Sequence, residues 1–238
     1  MPDPADDARR ALLAALFDDA GLFPPASLSM GDAVAAHRRA RHGQNRWMLA
    51  RFVCPASRLD ELARLLAERD DADPWRVSAI LDGPDARVAL ETTERFGASV
   101  DTVETRAPDI HMLAKTLDAS GFRGFAFAEV APGPAWRDAL ADVRAAADAG
   151  VRIGAKIRCG GEAVPQPEMV AAFIVRCRDL GIRFKATAGL HHPVGHRAPE
   201  GQQHGFLNLG VAATLAYAHP MDQTDLRPVI EEQDPASF

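Results

Sequence analysis

Strand-like apolar segments alternate with helical segments seven times along this chain of 238 residues, without a Ser/Gly linker or a shift in composition. Successive strands lie roughly 25 to 30 residues apart, which is the spacing of strand-helix units whose strands are parallel. We therefore predict a parallel α/β sheet. The predicted strands are Phe17 running into the Pro24-Pro25 loop, Arg46 to Cys54, Trp75 to Leu81, Ala98 to Glu104, Phe122 to Val130, Val151 to Arg158, and Ile182 to Thr187.

The predicted strands alternate apolar residues with polar or small ones, as in Val151-Arg-Ile-Gly-Ala-Lys156. An open doubly wound sheet favours continuous apolar runs, whereas a closed barrel tolerates a polar face in its lumen. We therefore predict a (β/α)8 TIM-like barrel that forms a single domain over residues 1–238. Its eighth strand-helix unit is weak or missing, because residues 222–238 are few and polar and offer only Leu226 to Ile230 as a candidate strand. The barrel is thus predicted to be weakly closed or incomplete at its C-terminus.

The charge and composition of the chain argue against several classes of protein. A net charge of -6 and a pI near 5.7 lack the basic excess typical of surfaces that bind nucleic acids or anionic membranes. No apolar run approaches the ~18 residues of a membrane span, and no signal peptide is evident. Three widely spaced cysteines fit reduced thiols. We expect a cytoplasmic protein that acts on a small molecule, and an exposed barrel edge would favour a homo-oligomer.

The chain contains three lysines among its 27 lysine and arginine residues, and two of them occupy matching places on the last two predicted strands. Lys156 and Lys185 share the same phase, and each is followed four positions later by a glycine, Gly160 or Gly189. Arginine cannot give up its proton and form an imine. A lysine at a strand end of this arginine-rich chain therefore indicates imine chemistry. The third lysine, Lys115, is predicted to be solvated on a helix.

A desolvated lysine amine beside a second cation loses its proton more readily and can attack a carbonyl group. On neighbouring parallel strands, Lys156 and Lys185 would lie close enough for one to act on the other, and the residues leave open which of them is the nucleophile. Glu129 is the first candidate for proton transfer and Glu104 the second. The strand phase of both carboxylates is ambiguous from the sequence.

Further strand-end residues are candidate substrate contacts, because the active sites of such barrels lie at the carboxyl ends of the strands. Arg158, together with the amides of Gly160 and Gly161, could hold a carboxylate or phosphate. The remaining candidates are His191, His192, Asp82 and Asp19.

The two Lys-x-x-x-Gly strand ends, especially Phe184-Lys-Ala-Thr-Ala-Gly189, resemble the paired lysines of deoxyribose-phosphate aldolase and related class I aldolases. The resemblance implies a parallel barrel with a Schiff base lysine, a second lysine that perturbs it, and a strand-end carboxylate. It also implies cleavage or formation of a carbon-carbon bond in a small carbonyl compound, without a metal cofactor. Lys156 matches the imine-forming lysine by position, and Lys185 matches it by local sequence. The short tail shows no counterpart of the aldolase phosphate site.

Two other functions remain open from the residues. A divalent metal held by His191, His192, His196 and Glu129 would indicate a metal-dependent lyase or hydrolase. A barrel with a blocked mouth would instead indicate a non-catalytic protein that binds a ligand or a partner.

Overall fold

The computed structural model describes residues 4–67, 74–82, 90–92, 100–106, 109–161, 164–199 and 201–238. Strands and helices alternate as predicted through the seventh strand, except that most of the residues between the third and fourth strands lie outside the described ranges. In chain order, the elements are α1 Pro4–Leu13, β1 Phe17–Asp19, α2 Met30–His42, β2 Leu49–Pro55, α3 Leu59–Ala67, β3 Val77–Ile80, β4 Val100–Arg106, α4 Ile110–Ser120, β5 Phe125–Glu129, α5 Trp136–Asp148, β6 Ile153–Arg158, α6 Pro167–Leu180, β7 Phe184–Thr187, β8 His196–Ala198, β9 Gly201–Gln203, α7 Phe206–Ala218 and α8 Gln223–Glu231. No helix in these ranges is both long and apolar enough to cross a membrane.

Seven strands form one sheet in the order β1 to β7, so that neighbours in sequence are neighbours in the sheet. The pairs β1/β2, β2/β3, β3/β4 and β6/β7 are parallel. The predicted parallel α/β sheet is therefore confirmed. A separate antiparallel hairpin, β8/β9, follows β7.

The segment from Leu226 to Ile230 is a helix, and its interpretation as a candidate strand was wrong. It lies within α8, which begins with a capping box formed by Asp222 and Asp225. Leu226 and Ile230 are four positions apart, and both are fully buried. Across the described ranges, no eighth strand joins the sheet after β7.

Several predicted strands begin two or three residues later than expected. Arg46–Met48 forms a 3₁₀ turn, and β2 starts at Leu49. The first two residues of the predicted strand Ala98 to Glu104 lie outside the described residues, and β4 is described from Val100 to Arg106.

Contacts divide the chain into two compact units, Met1–Thr105 with Lys115–Ala126, and Arg106–Ala114 with Phe127–Phe238. The core of the first unit includes Phe52 and Trp75, whose rings pack edge to face at 5.4 Å. His37 contacts both rings and is buried.

The second unit positions β6 and β7 through α6. Pro167 occupies the first turn of α6, and Gly181 ends the helix in the left-handed conformation with φ 62°. In the middle of α6, Phe173 is fully buried and contacts Trp136 of α5 and Phe184 of β7. The apolar face of α6 therefore fixes β7 beside β6.

Candidate functional site

Lys156 and Lys185 are direct neighbours on two parallel strands. The register of β6 and β7 places Lys156 opposite Lys185 and Ala155 opposite Phe184. Side chains at matched positions of paired strands leave the same face of the sheet, so the two lysines share a face. Lys156 is buried and Lys185 is half-buried. The register thus brings together the two lysines that the sequence singled out.

Glu129, the last residue of β5, lies on this lysine face. Its Oε2 atom is 3.3 Å from Lys156 Nζ, and the Glu129 and Lys156 side chains are 8% and 6% exposed. The contact resolves the phase that the alternation of β5 left ambiguous, because only a side chain on the lysine face can reach Lys156. A carboxylate and an amine are therefore within proton-transfer distance in a largely buried place.

Arg106, the last residue of β4, completes a three-residue chain of contacts. Its Nε atom donates to Glu129 Oε1 at 3.0 Å, while its side chain is 75% exposed. Glu129 is therefore shared between a buried amine and a solvent-facing guanidinium. Our sequence reasoning missed Arg106, although it lies two residues after Glu104 and so on the same strand face.

The glycines that follow the two lysines allow two loops to touch. A Cβ atom added to Gly160 would lie 2.5 Å from Gly189 Cα, and one added to Gly189 would lie 2.5 Å from Cys159 O. Any side chain at either position would collide with backbone. The repeated Lys-x-x-x-Gly spacing therefore has a packing cause in its glycines, independent of the chemistry of its lysines.

Arg158 lies beside Gly161, since a Cβ atom added there would be 3.4 Å from Arg158 Nη2. Gly161 has φ 97°, a conformation that favours glycine. This places the Arg158 guanidinium against the loop whose amides were predicted to bind an anion with it.

Two of the histidines that follow β7 are in contact with each other. His192 and His196 rings pack edge to face at 4.4 Å, and His191 is exposed. Among the described residues, no group of three or more His, Cys, Asp or Glu side chains is placed to hold a metal ion. The structure therefore does not assemble His191, His192, His196 and Glu129 into one ligand set within these ranges.

Glu104, Asp82 and Asp19 belong to the first unit, where each has a local partner. Ser78 donates to buried Glu104 at 2.7 Å. Asp82 accepts hydrogen bonds from the backbone and hydroxyl of Ser57. Asp19 contacts His37 Nδ1 at 2.9 Å and accepts a bond from the Gly21 amide.

Cys159 directly follows β6, but its environment makes it a poor nucleophile. Burial raises the pKa of its thiol to about 12, so the unreactive thiol form prevails at neutral pH. This leaves Lys156 and Lys185 as the candidate nucleophiles of the lysine face.

Among solved structures, the chain is similar to the deoxyribose phosphate aldolase from Aeropyrum pernix, a protein with a tetrameric structure. The TM-score is 0.60 at 15% sequence identity, and the match covers 97% of each chain. No protein-family model matches, and no curated protein is significantly similar. The likeness shows the fold. It confirms the predicted TIM-like barrel class, whose eighth unit is weak, and the resemblance to an aldolase barrel at the level of fold.

Proposed function

We propose that this protein is a lyase of the class I aldolase type that forms a Schiff base with a small carbonyl compound. One observation carries the proposal: buried Lys156 lies 3.3 Å from the carboxylate of Glu129 and stands in register with Lys185. The similarity in fold to a deoxyribose phosphate aldolase supports the same reaction class.

Lys156 is the proposed nucleophile, because Glu129 can accept its proton directly. Lys185 is the proposed second cation, which disfavours a further positive charge on its neighbour. Arg158 and the amides of Gly160 and Gly161 would hold an anionic group of the substrate.

The proposed reaction is the cleavage of a β-hydroxy carbonyl compound. Glu129 takes a proton from Lys156, the amine adds to the carbonyl carbon, and Glu129 gives the proton to the hydroxyl group that leaves as water, which forms a protonated imine. Glu129 removes the β-hydroxyl proton, the carbon-carbon bond breaks, and its electron pair moves to the imine nitrogen, which gives an aldehyde and an enamine. Glu129 returns the proton to the enamine carbon, and water hydrolyses the protonated imine to release the carbonyl product and protonated Lys156.

The chain offers a matched control for testing the imine. Wild type and the variants Lys156→Arg, Lys185→Arg and Lys115→Arg are incubated with a panel of small aldehydes, ketones and 2-oxo acids, reduced with borohydride and weighed by intact-mass spectrometry. Lys115 is exposed on α4, so its replacement keeps the charge and tests for adventitious labelling. We expect a single covalent adduct in wild type and Lys115→Arg that is absent from Lys156→Arg.

Two results would contradict this proposal. An adduct that persists in Lys156→Arg and disappears in Lys185→Arg would exchange the roles of the two lysines. The absence of any adduct from wild type across the panel would reject the Schiff base.

We also propose that the protein acts in the cytoplasm as a homo-oligomer. All three cysteines are buried and free, as expected of a reducing compartment. The fold neighbour from Aeropyrum pernix is a tetramer. Light scattering coupled to gel filtration should give a mass that is a multiple of 25.6 kDa, and a monomer at micromolar concentration would contradict self-association.

A further inference from the structure

Arg106 and Lys156 hold the two oxygens of a single carboxylate, that of Glu129. We infer that the substrate is a 2-oxo acid, and that its carboxylate takes the place of Glu129 on Arg106 while its carbonyl carbon meets Lys156. This inference rests on the proposed Schiff base function and names its substrate class.

The spacing of the two cations supports this class. Arg106 Nε lies 3.0 Å from one oxygen of Glu129, and Lys156 Nζ lies 3.3 Å from the other. One carboxyl group therefore bridges guanidinium and amine. In a 2-oxo acid the electrophilic carbon is bonded directly to the carboxylate, so a molecule of the same span reaches both cations. A carboxylate farther along the substrate would put more atoms between the anion and the electrophilic carbon than the one carbon atom that joins the two oxygens of Glu129.

The exposure of Arg106 supports an exchange of partners. Its side chain is 75% exposed, whereas Lys156 and Glu129 are 6% and 8% exposed. A solvent-facing guanidinium meets an incoming anion before the buried amine does, and planar guanidinium groups bind carboxylates well.

The charge of this region also favours an anion. Among the described residues, the carboxyl-terminal halves of β4 to β7 carry the cations Arg106, Lys156, Arg158 and Lys185, against the carboxylates of Glu104 and Glu129. A bound carboxylate would offset part of this positive excess.

Substrate binding would also prepare Glu129 for its proposed role. Once the substrate carboxylate accepts the hydrogen bond from Arg106 Nε, Glu129 Oε1 loses that donor. That oxygen can then accept the proton of the substrate hydroxyl. Arg106 is thus a substrate-binding residue that also controls when Glu129 acts.

The test compares three carbonyl probes on one protein. Pyruvate carries the carboxylate beside the carbonyl, pyruvamide has the same shape without the charge, and levulinate carries its carboxylate two methylene groups away. Rates of borohydride-trapped adduct formation are measured by intact mass and divided by the rate of each probe with a free alkylamine, which removes intrinsic reactivity. In wild type we expect pyruvate to react faster than both other probes by about tenfold to a hundredfold, the value of a hydrogen bond to a charged group.

The variant Arg106→Gln should remove this preference, lowering the pyruvate rate toward that of pyruvamide. Arg227→Gln is the matched control, because Arg227 also donates through Nε to a glutamate, Glu231, and is 48% exposed on α8. That control should keep the wild-type preference. A loss shared equally by all probes in Arg106→Gln would show a role only in placing Glu129 and would overturn the substrate class.

The remaining outcomes separate the two proposals. Equal normalised rates for pyruvate and pyruvamide, or for pyruvate and levulinate, would overturn the 2-oxo acid while leaving the Schiff base intact. The absence of adducts with all three probes and with the wider panel would reject the Schiff base and this inference together.

Discussion

At the scale of single residues, His204 shows how a buried side chain ties folding to pH. It is fully buried between β9 and α7, and its Nε2 atom donates to the Pro165 carbonyl at 2.7 Å. Its Nδ1 atom has no hydrogen-bond partner among the described residues. Burial lowers the pKa of His204 from its usual 6.5, and the bond to Pro165 only partly opposes that effect.

We predict that His204 makes the protein less stable in weak acid. As the pH falls below 6.5, the unfolded chain binds a proton on His204 that the folded chain resists, so stability present above 6.5 is lost. Urea unfolding between about pH 7.5 and 5.5 should show this loss, and His204→Gln should reduce the slope. His219→Gln, which changes an exposed histidine, should keep the wild-type slope. Equal slopes for His204→Gln and wild type would contradict the assignment.

The candidate site was partly predictable from its residues. The repeated phase of Lys156 and Lys185 identified the pair before their register was known. The side of β5 on which Glu129 lies could not be derived, because Phe125 and Phe127 share its phase and suit either face of a strand. Arg106 was not predicted as a site residue, because an arginine at the end of a strand is usually solvated. Its contact with Glu129 in the structure places it in the site.

At the scale of elements, the loops after β6 and β7 come into backbone contact at Gly160 and Gly189, neither of which has a side chain. The approach is close enough that the positions 160 and 189 must both lack a Cβ atom. Backbone hydrogen bonds continue to the same point, where the Cys159 amide donates to the Thr187 carbonyl. The two strand ends are thereby held as one rigid support for the lysine face.

We predict that Gly160→Ala destabilises the protein by about 1 to 3 kcal/mol, the usual cost of forcing extra volume into a packed place. The added methyl group would lie 2.5 Å from Gly189 Cα, and backbone cannot move aside cheaply. Thermal and urea unfolding would measure the loss. Gly31→Ala, at the start of α2, has open space around its added methyl group and should cause no loss. Comparable stability of the two variants would show that the loops can separate freely.

The succession of elements was largely predictable, with one error. Proline at the first position of α6 and glycine directly after its last position make the bounds Pro167–Leu180 evident from the sequence. Leu226 to Ile230 was misjudged as a strand because the barrel pattern required an eighth strand, and this was the only candidate in the polar segment 222–238. Pro228 lies inside α8, and the helix is stabilised by the capping box at Asp222 and by the burial of Leu226 and Ile230.

At the scale of the whole molecule, a single domain was predicted, whereas the contacts within the chain form two compact units. The cysteines report on both units, since Cys54 lies in the first and Cys159 and Cys177 lie in the second. All three are buried, and burial raises the pKa of each thiol to about 12. A thiol reagent can therefore reach each cysteine only when the surrounding structure opens.

We predict that alkylation of the native protein is slowed at all three thiols by the same factor, about a thousandfold or more for ordinary domain stability. Iodoacetamide labelling followed by peptide mass spectrometry would give each rate relative to the urea-unfolded chain. Equal slowing would indicate that the two units open together as one cooperative domain. A difference beyond about tenfold between Cys54 and the other two would contradict the single domain.

The register that sets Lys156 against Lys185 has a consequence for how this protein can change over evolution. The turn from α6 to β7 runs from Gly181 to Arg183, and its length decides which face of the sheet Lys185 occupies. An insertion or deletion of one residue there would shift β7 by one position and turn Lys185 to the opposite face of the sheet. Such a chain would keep both lysines in its sequence and lose their proximity. Length variation in this turn should therefore be tolerated less than substitution within it.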